Sequence, residues 1–558
     1  MRLLPSMLHL SLLLGSCWNA LAAVGAELVR PDHSAITATM CRRAIEDVST
    51  TAILRTCPRL LEQYYSGAMT APLTIGQLEN MAFVSFHVSR AMNENGQSGG
   101  AVMFARQAVT LQVQATSTTA DTRKLQSLAS YHAALGRIYE EQGNAIEALE
   151  HWERSIQIMQ PLRHTDAAAL KLYANTCAYK ALQMRDLAKY EDAYRTLRPA
   201  YDTATSSFLQ SPNEHAEAMH YTARTMAHIC YDAQTSPGLM LQACEVATKA
   251  GEVMRKAHNT QPDDYSQEKL LGLTANALYW NGRLKETLDL INSAGSAVES
   301  NGEIQYTKAN ALAESGNTTS AISVYRSILA QDDSNTTWAA ASALGGMLVN
   351  GGKTIEAIDV ADFVEKRMHE LPAEETPSFT VAAELAKLRG DAAYRWNDTS
   401  EARPYYESWA TFEHALVNSY GDVASRIELQ YATLALAECT SPTAPAEAFR
   451  QANKVLSEVM LAAEPKNRMW QQLLAEAHLI VAELSDSPAE KRKHATELLA
   501  ILSDSGIPTD SVLVRGLRSF ALALLGDLRA AREIADELIK QGIVAPAVIG
   551  HWKALGVL

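Results

Sequence analysis

A chain of 558 residues exceeds the roughly 250–300 at which a single globular core stops growing, unless the core extends in one dimension as stacked repeats do. Its formal net charge of −14, from 63 acidic against 49 basic residues, excludes a surface built to neutralise nucleic-acid phosphates or anionic lipid heads. With 47% hydrophobic and 20% charged residues and no long low-complexity tract, it has the composition of a folded chain in water.

The N-terminus reads as a targeting segment over residues 1–22. Arg2 gives a short positive start, Leu3 to Leu14 is uncharged and mostly apolar, and Ala20-Leu21-Ala22 supplies an A-x-A cleavage signal that would leave a mature end near Ala23. A second reading stays open: Leu14-Gly15-Ser16-Cys17 has the shape of a bacterial lipobox, which would leave a lipid on Cys17. An uncleaved anchor is disfavoured, since the apolar run falls short of roughly 20 residues. Both readings predict export, to the periplasm or outside the cell, with an outer-membrane lipoprotein as the alternative. Membrane contact is expected only through a lipid on Cys17.

Seven cysteines occur. In an oxidising compartment Cys41 with Cys57, and Cys230 with Cys244, are close enough in sequence to staple neighbouring helices. The alternative is that they are small buried apolar side chains. Cys177 and Cys439 lack a nucleophile context and read as buried. No CxxC or Cys/His cluster has zinc spacing, so neither a metal nor a cofactor is expected.

From residue 35 onward Ala, Leu, Glu, Gln and Arg dominate, with apolar residues at i, i+3, i+4 and i+7, and strand-like alternation is scarce. Residues 23–128 carry this helical signal without a clear repeat. The segment Tyr131 to Pro161 does show one: Leu135-Gly136, Tyr139, Gly143 at a turn, Ala148, Trp152 and Pro161. On these residues the chain resembles the tetratricopeptide repeat (TPR) family, whose unit is a helix–turn–helix of about 34 residues. Ala181, Ala193 and Leu197 suggest a degenerate copy. Ala275, Leu278, Gly282 and Ile291 form another, and Ala309, Leu312, Gly316, Ala321, Tyr325 and Ile328 the next, with Gly282 and Gly316 34 residues apart. Leu344-Gly345, Leu348, Gly352 and Ala357 follow, then a weaker copy at Gly390, Ala402 and Tyr406. Leu522, Gly526, Leu528, Ala531 and Pro546 close the chain. The expected organisation is a helical region at 23–128, TPR-like repeats at 129–370, and C-terminal helical repeats at 371–558 that end in a TPR-like pair. Glu464-Pro465-Lys466-Asn467 with Trp470-Gln471 resembles a stretch found in helical-repeat regions of large bacterial signalling proteins and supports a bacterial origin.

Several chemical motifs are approached and missed. Gly346 to Thr354 places five residues, not four, before its Gly-Lys-Thr, and a phosphate-binding loop must follow a strand. His215, His220 and His228 share one predicted helix at spacings that do not converge on a metal, and HExxH and GxSxG are absent. Lys491-Arg492-Lys493-His494 reads as an exposed helix face. The Asn317, Asn335 and Asn397 N-x-T triplets read as chance occurrences. No catalytic residue is nominated.

The resemblance implies an all-α, right-handed α-solenoid whose first helices line a concave face that binds an extended peptide or partner helix. The family pattern puts Asn276 and Asn310 at equivalent positions, inside Ala-Asn-Ala-Leu tetrapeptides 34 residues apart. Their amides suit a peptide backbone, which needs both a donor and an acceptor. Tyr279 and Trp280 adjoin the first, and Arg137 holds that position in the clearest repeat. The competing reading is that these amides cap helices or face water. Three functions remain at this level: an exported scaffold that binds another protein or peptide in envelope assembly, secretion or a surface complex; a lipid-anchored assembly factor; or an enzyme whose site lies outside the recognisable repeats.

Overall fold

The computed structural model describes residues 34–68, 73–117, 121–233, 236–258, 264–330, 335–370, 379–395, 398–420, 423–462, 467–504 and 511–558. The targeting segment with Cys17, most of the 464–467 stretch and Asn397 lie outside them. Among the described residues there are twenty-five α-helices, one short 3-10 turn at Gly295–Val298, and no strand. No helix there is long and apolar enough to cross a membrane.

The chain divides into two compact units: the described residues up to Leu187 with Glu191–Thr222, and Ala188–Tyr190 with Ala223–Leu558. The first holds α1 (Ser34–Glu46), α2 (Thr50–Ala68), α3 (Ile75–Glu94), α4 (Ser98–Thr116), α5 (Thr122–Glu141), α6 (Ala145–Met159), α7 (Ala167–Asp186) and most of α8 (Tyr190–Gln210). The division falls inside α9 (Pro212–Asp232). The second unit contains α10 (Pro237–His258), α11 (Asp264–Trp280), α12 (Leu284–Ala294), α13 (Gly302–Glu314), α14 (Thr318–Ala330), α15 (Asn335–Asn350), α16 (Thr354–Glu370) and α17 (Phe379–Arg395). It continues with α18 (Thr399–Tyr420), α19 (Val423–Thr440), α20 (Pro445–Ala462), α21 (Arg468–Leu484), α22 (Pro488–Asp504), α23 (Val512–Leu525), α24 (Leu528–Lys540) and α25 (Pro546–Ala554).

Consecutive helices pack as antiparallel pairs, a first helix A and a second helix B, and the sequence fixes each turn. At the α5–α6 turn Gly143 takes φ 75°, a left-handed conformation that a side chain resists. Gly143 N–H donates to Glu140 O, and Asn144 N–H to Tyr139 O, both at 2.8 Å. This Schellman pattern satisfies carbonyls that the helix end leaves open. The same two bonds recur around Gly282, Gly316, Gly352 and Gly526. Helix starts are capped by side-chain oxygens, as Asp166 accepts from Ala169 N–H at 2.8 Å and Ser511 from Val514 N–H at 3.2 Å.

Within a pair, a small residue on A meets a large one sixteen positions on in B: Gly136 with Trp152, Ala309 with Tyr325, Gly390 with Tyr406. The approach is close. A Cβ at Gly136 would stand 2.6 Å from Trp152 Nε1, and one at Gly390 would stand 2.5 Å from the Tyr406 ring. Stacked pairs of this kind bury their apolar faces against one another in a series of core clusters. In the first unit one cluster runs from Cys41 through Leu61, Met81, Phe104 and Leu135 to Trp152. The described residues therefore form an all-α helical-repeat fold of TPR-like pairs, including the described parts of 35–128 and 410–510, where the motif is illegible.

Cys41 and Cys57 are joined, with Cα atoms 4.9 Å apart, and tie α1 to α2. The Cys230–Cys244 expectation is corrected: both are buried thiols outside any disulfide, as are Cys177 and Cys439. Cys230 and Cys244 are both at 0% exposure, and Cys244 hydrogen-bonds with Thr274, so closeness in sequence did not pair the sulfurs.

Two pairs carry facing imidazoles. His132 on α5 and His151 on α6 approach Nδ1 to Nδ1 at 2.9 Å, and His478 on α21 and His494 on α22 do the same at 2.9 Å. Burial, and then neighbouring cationic or imidazole groups, push His132, His151 and His478 down to about 4, and His494 down as well. His494 thus corrects the expectation of a wholly exposed basic run at 491–494. In an unfolded chain these groups titrate near 6.5, so between pH 6.5 and 4 the unfolded state takes up protons that the native state refuses. The stabilisation is whole above pH 6.5 and is lost as pH falls toward 4. For buried His132 alone the loss between pH 7.5 and 5 is roughly 2 kcal/mol. In the second unit Glu413, raised to about 8, and Glu476, raised to about 7, favour the opposite direction because their native forms hold protons. Acid sensitivity is therefore expected to concentrate in the first unit. Hydrogen exchange in 122–159, corrected for intrinsic rate, should show protection falling at pH 5 relative to pH 7.5. Equal protection at both would contradict it.

Candidate functional site

The expected binding residues fall on A helices, and Asn276, Asn310 and Tyr279 make hydrogen bonds within the chain. Asn276 on α11 donates from Nδ2 to Gly272 O at 3.1 Å and accepts at Oδ1 from Thr307 Oγ1 at 2.9 Å. Asn310 on α13 accepts at Oδ1 from Tyr325 OH at 2.5 Å. These amides bind adjacent helices together, a use that sequence position alone did not distinguish from peptide contact. Trp280 stacks on Tyr231, with ring centroids 5.4 Å apart. Arg137 lies in the first unit, exposed, 3.6 Å from Glu141 and over the Tyr179 ring.

Tyr279 belongs to a junction that the sequence did not reveal. Arg468, the first residue of α21, donates from Nη1 to Tyr279 O at 2.9 Å and from Nη2 to the Glu314 carboxylate. Its guanidinium lies 5.2 Å from the Tyr279 ring centroid, and Tyr279 OH donates to Glu314 Oε1 at 2.5 Å. The Arg468 side chain is only 9% exposed and that of Glu314 20%. Burial and the adjacent Glu314 hold the Tyr279 phenol well above its ordinary range. A second contact joins the same unit. Val544 and Ala545 N–H donate to Asn350 O at 3.0 and 2.9 Å, and Thr318 Oγ1 donates to Gln541 O at 3.3 Å. The carbonyls of Tyr279 and Asn350 lie in the last turns of α11 and α15, where helix ends need partners and favour cations. By these contacts the α21–α25 end of the second unit returns to its α11–α15 beginning.

On successive A helices of the same unit lies a polar chamber of about 320 Å³. Tyr306 of α13, Ser342 of α15, Glu384, Lys387 and Asp391 of α17, and Glu428 of α19 line it. Lys387 Nζ donates to Glu428 Oε2 at 2.7 Å and stands 4.9 Å from the Trp409 ring centroid. Ser342 donates to Glu384, and Tyr406 OH donates to Asp391 at 2.8 Å. Burial alone would lower Lys387, but Glu428 and Glu384 outweigh it and raise it, so the ammonium stays charged. Burial, then the neighbouring acids, pushes Glu413 up to about 8, and burial raises Glu428. Burial and Glu384 push Tyr306 up to about 12. Three carboxyl groups thus face one ammonium around water-accessible space.

Glu384, Lys387 and Asp391 were legible as a charged stripe at spacings of three and four on one helix face, in a segment whose repeat signal is weak. The segment that approached a phosphate-binding loop is the end of α15, its turn and the start of α16, with Lys353 paired to Glu356 at 3.2 Å. His215, His220 and His228 share α9 as expected. Among the described residues no group of three or more His, Cys, Asp or Glu side chains is placed to hold a metal ion.

Comparison with protein-family models finds no match, and comparison with curated protein sequences finds none. Among solved structures, yeast Tom70 is 12% identical over 90% of this chain and 98% of that one, with a TM-score of 0.37. The anaphase-promoting-complex hetero-tetramer Cut9–Hcn1 is 13% identical over 90% and 98%, with a TM-score of 0.33. BtubC (BKLC) from P. vanneervenii is 14% identical over 45% and 91%, with a TM-score of 0.35.

Proposed function

We propose that this chain is an exported scaffold that binds another polypeptide, and that its second unit receives a basic side chain of that partner in the chamber at Lys387. The observation that carries the reading is the unequal lining: Glu384, Asp391 and Glu428 against Lys387 around about 320 Å³ of open space. An incoming Lys or Arg would make charge-assisted hydrogen bonds in surroundings less polar than water, where they are strongest. Asn276 and Asn310 support this face from within, by holding α11, α13 and α14 in register.

The test is titration of a fluorescent nona-arginine peptide into the folded protein at low and moderate salt. Glu384→Gln with Asp391→Asn should weaken binding about tenfold, near 1.4 kcal/mol, with helicity retained. A folded double variant that binds as tightly as the parent would sink the assignment.

Export is the second element of the proposal. It is supported by Arg2, the apolar 3–14 run and Ala20-Leu21-Ala22, and by the Cys41–Cys57 bridge, which persists in oxidising compartments. Such a scaffold would serve envelope assembly, secretion or a surface complex. The Leu14–Cys17 sequence favours the alternative, an outer-membrane lipoprotein. Mass spectrometry separates them: a free end near Ala23, or diacylglyceryl on Cys17.

A further inference from the structure

We infer that the two contacts closing the second unit form a latch that restricts access to its A-helix face and opens when a basic partner segment binds. The inference rests on the function proposed above for what is admitted. The contacts themselves are independent of it.

Stacked helix pairs need no such closure, because each buries its apolar sides against its sequence neighbours. Arg468 instead reaches residues 154 and 189 positions earlier in the chain, and Thr318 reaches one 223 positions later. The chemistry at these points is poised and not merely cohesive. The Arg468–Glu314 pair is largely removed from water, and the desolvation of such a pair offsets most of its attraction. The Asn350 contact consists of two backbone hydrogen bonds to one carbonyl. α17 also touches α25 and α13 touches α23, but far less extensively than neighbouring pairs pack.

The same helices carry both the latch and the chamber wall. Glu314 and Tyr306 are on α13, and Asn350 and Ser342 are on α15. Arg468 is chemically what the chamber is suited to receive, a guanidinium held by a carboxylate. Its own carboxylate, Glu314, lies outside the chamber lining on the same helix as Tyr306, and an arginine of the partner would compete with Arg468 for it. Displacement would free α21 from α11 and α13 and widen the approach to Lys387.

The experiment uses the full chain with spin labels at Thr319→Cys and Lys540→Cys, both exposed and flanking the Thr318–Gln541 contact. Cys177, Cys230, Cys244 and Cys439 are buried, which favours labelling at the introduced sites. Without peptide the label distances should form one narrow population. Nona-arginine, or the variant Arg468→Met, should shift it to longer, broader distances. The peptide association rate should rise tenfold or more in Arg468→Met. Glu314→Gln, which retains an acceptor, serves as a second variant should Arg468→Met lose helicity. The latch is overturned if both variants keep the narrow population and the parent association rate. If nona-arginine binds no form of the protein, the proposed function falls, and the variants' label distances alone decide the latch.

Discussion

Truncating Trp152 to alanine is expected to destabilise the first unit by about 3–5 kcal/mol, enough to remove a large part of a typical domain's stability. The indole is 0% exposed, and its Nε1–H donates to Ala133 O at 3.2 Å. Its ring lies on Gly136, whose lack of a side chain is what allows α5 and α6 to approach. The Tyr179 ring on α7 also stacks on it, with ring centroids 6.2 Å apart, so one residue joins two successive pairs. Alanine leaves a cavity that helices fixed by their turns cannot collapse. Trp152→Phe, which keeps a ring but loses the hydrogen bond, should cost less. Denaturant unfolding followed by circular dichroism gives the comparison, and a loss below about 1 kcal/mol for alanine would show that this packing does not hold the pair.

The second large effect is at the start of the same unit. The Cys41–Cys57 bridge spans 16 residues, and removing a crosslink over a loop of that size costs about 3 kcal/mol through the entropy regained by the unfolded chain. Both cysteines are buried, at 1% and 0% exposure, on the first two helices described. Cys41→Ala with Cys57→Ala should therefore loosen α1 and α2 before the pairs that follow. Hydrogen exchange should report lost protection in 34–68 while 122–159 stays protected. Protection in 34–68 equal to the parent's would show that packing alone secures these helices.

The architecture was readable where local chemistry is strict. A glycine at a turn, with a small and a large residue around it, identifies a pair because few other residues fit there. The signal disappears where the same geometry is made by less suitable residues. At the α1–α2 turn Val48 takes φ 51°, and Val48 and Ser49 make the same two bonds to Ile45 and Ala44 that glycine turns make elsewhere. Ala188 takes φ 56° between α7 and α8. Such positions store about 1–3 kcal/mol of strain, which neighbouring packing offsets, so the fold persists after its signature has gone. The candidate site was less legible for a different reason. Asn276 and Asn310 recur at the repeat period, but periodicity does not reveal whether an amide faces a guest or the next helix. Arg468, Glu314 and Asn350 are brought together by the return of the chain, which no short-range pattern encodes.

That return has a consequence for how this protein can change over generations. Open stacks gain and lose modules by duplication or deletion, since any junction resembles any other. Here an extra module inserted between Gly351 and Asn467 would carry Arg468 past Glu314 and separate Val544 from Asn350. The module count in this stretch is therefore fixed by the junction, and variation is confined to substitution and to lengthening of exposed turns.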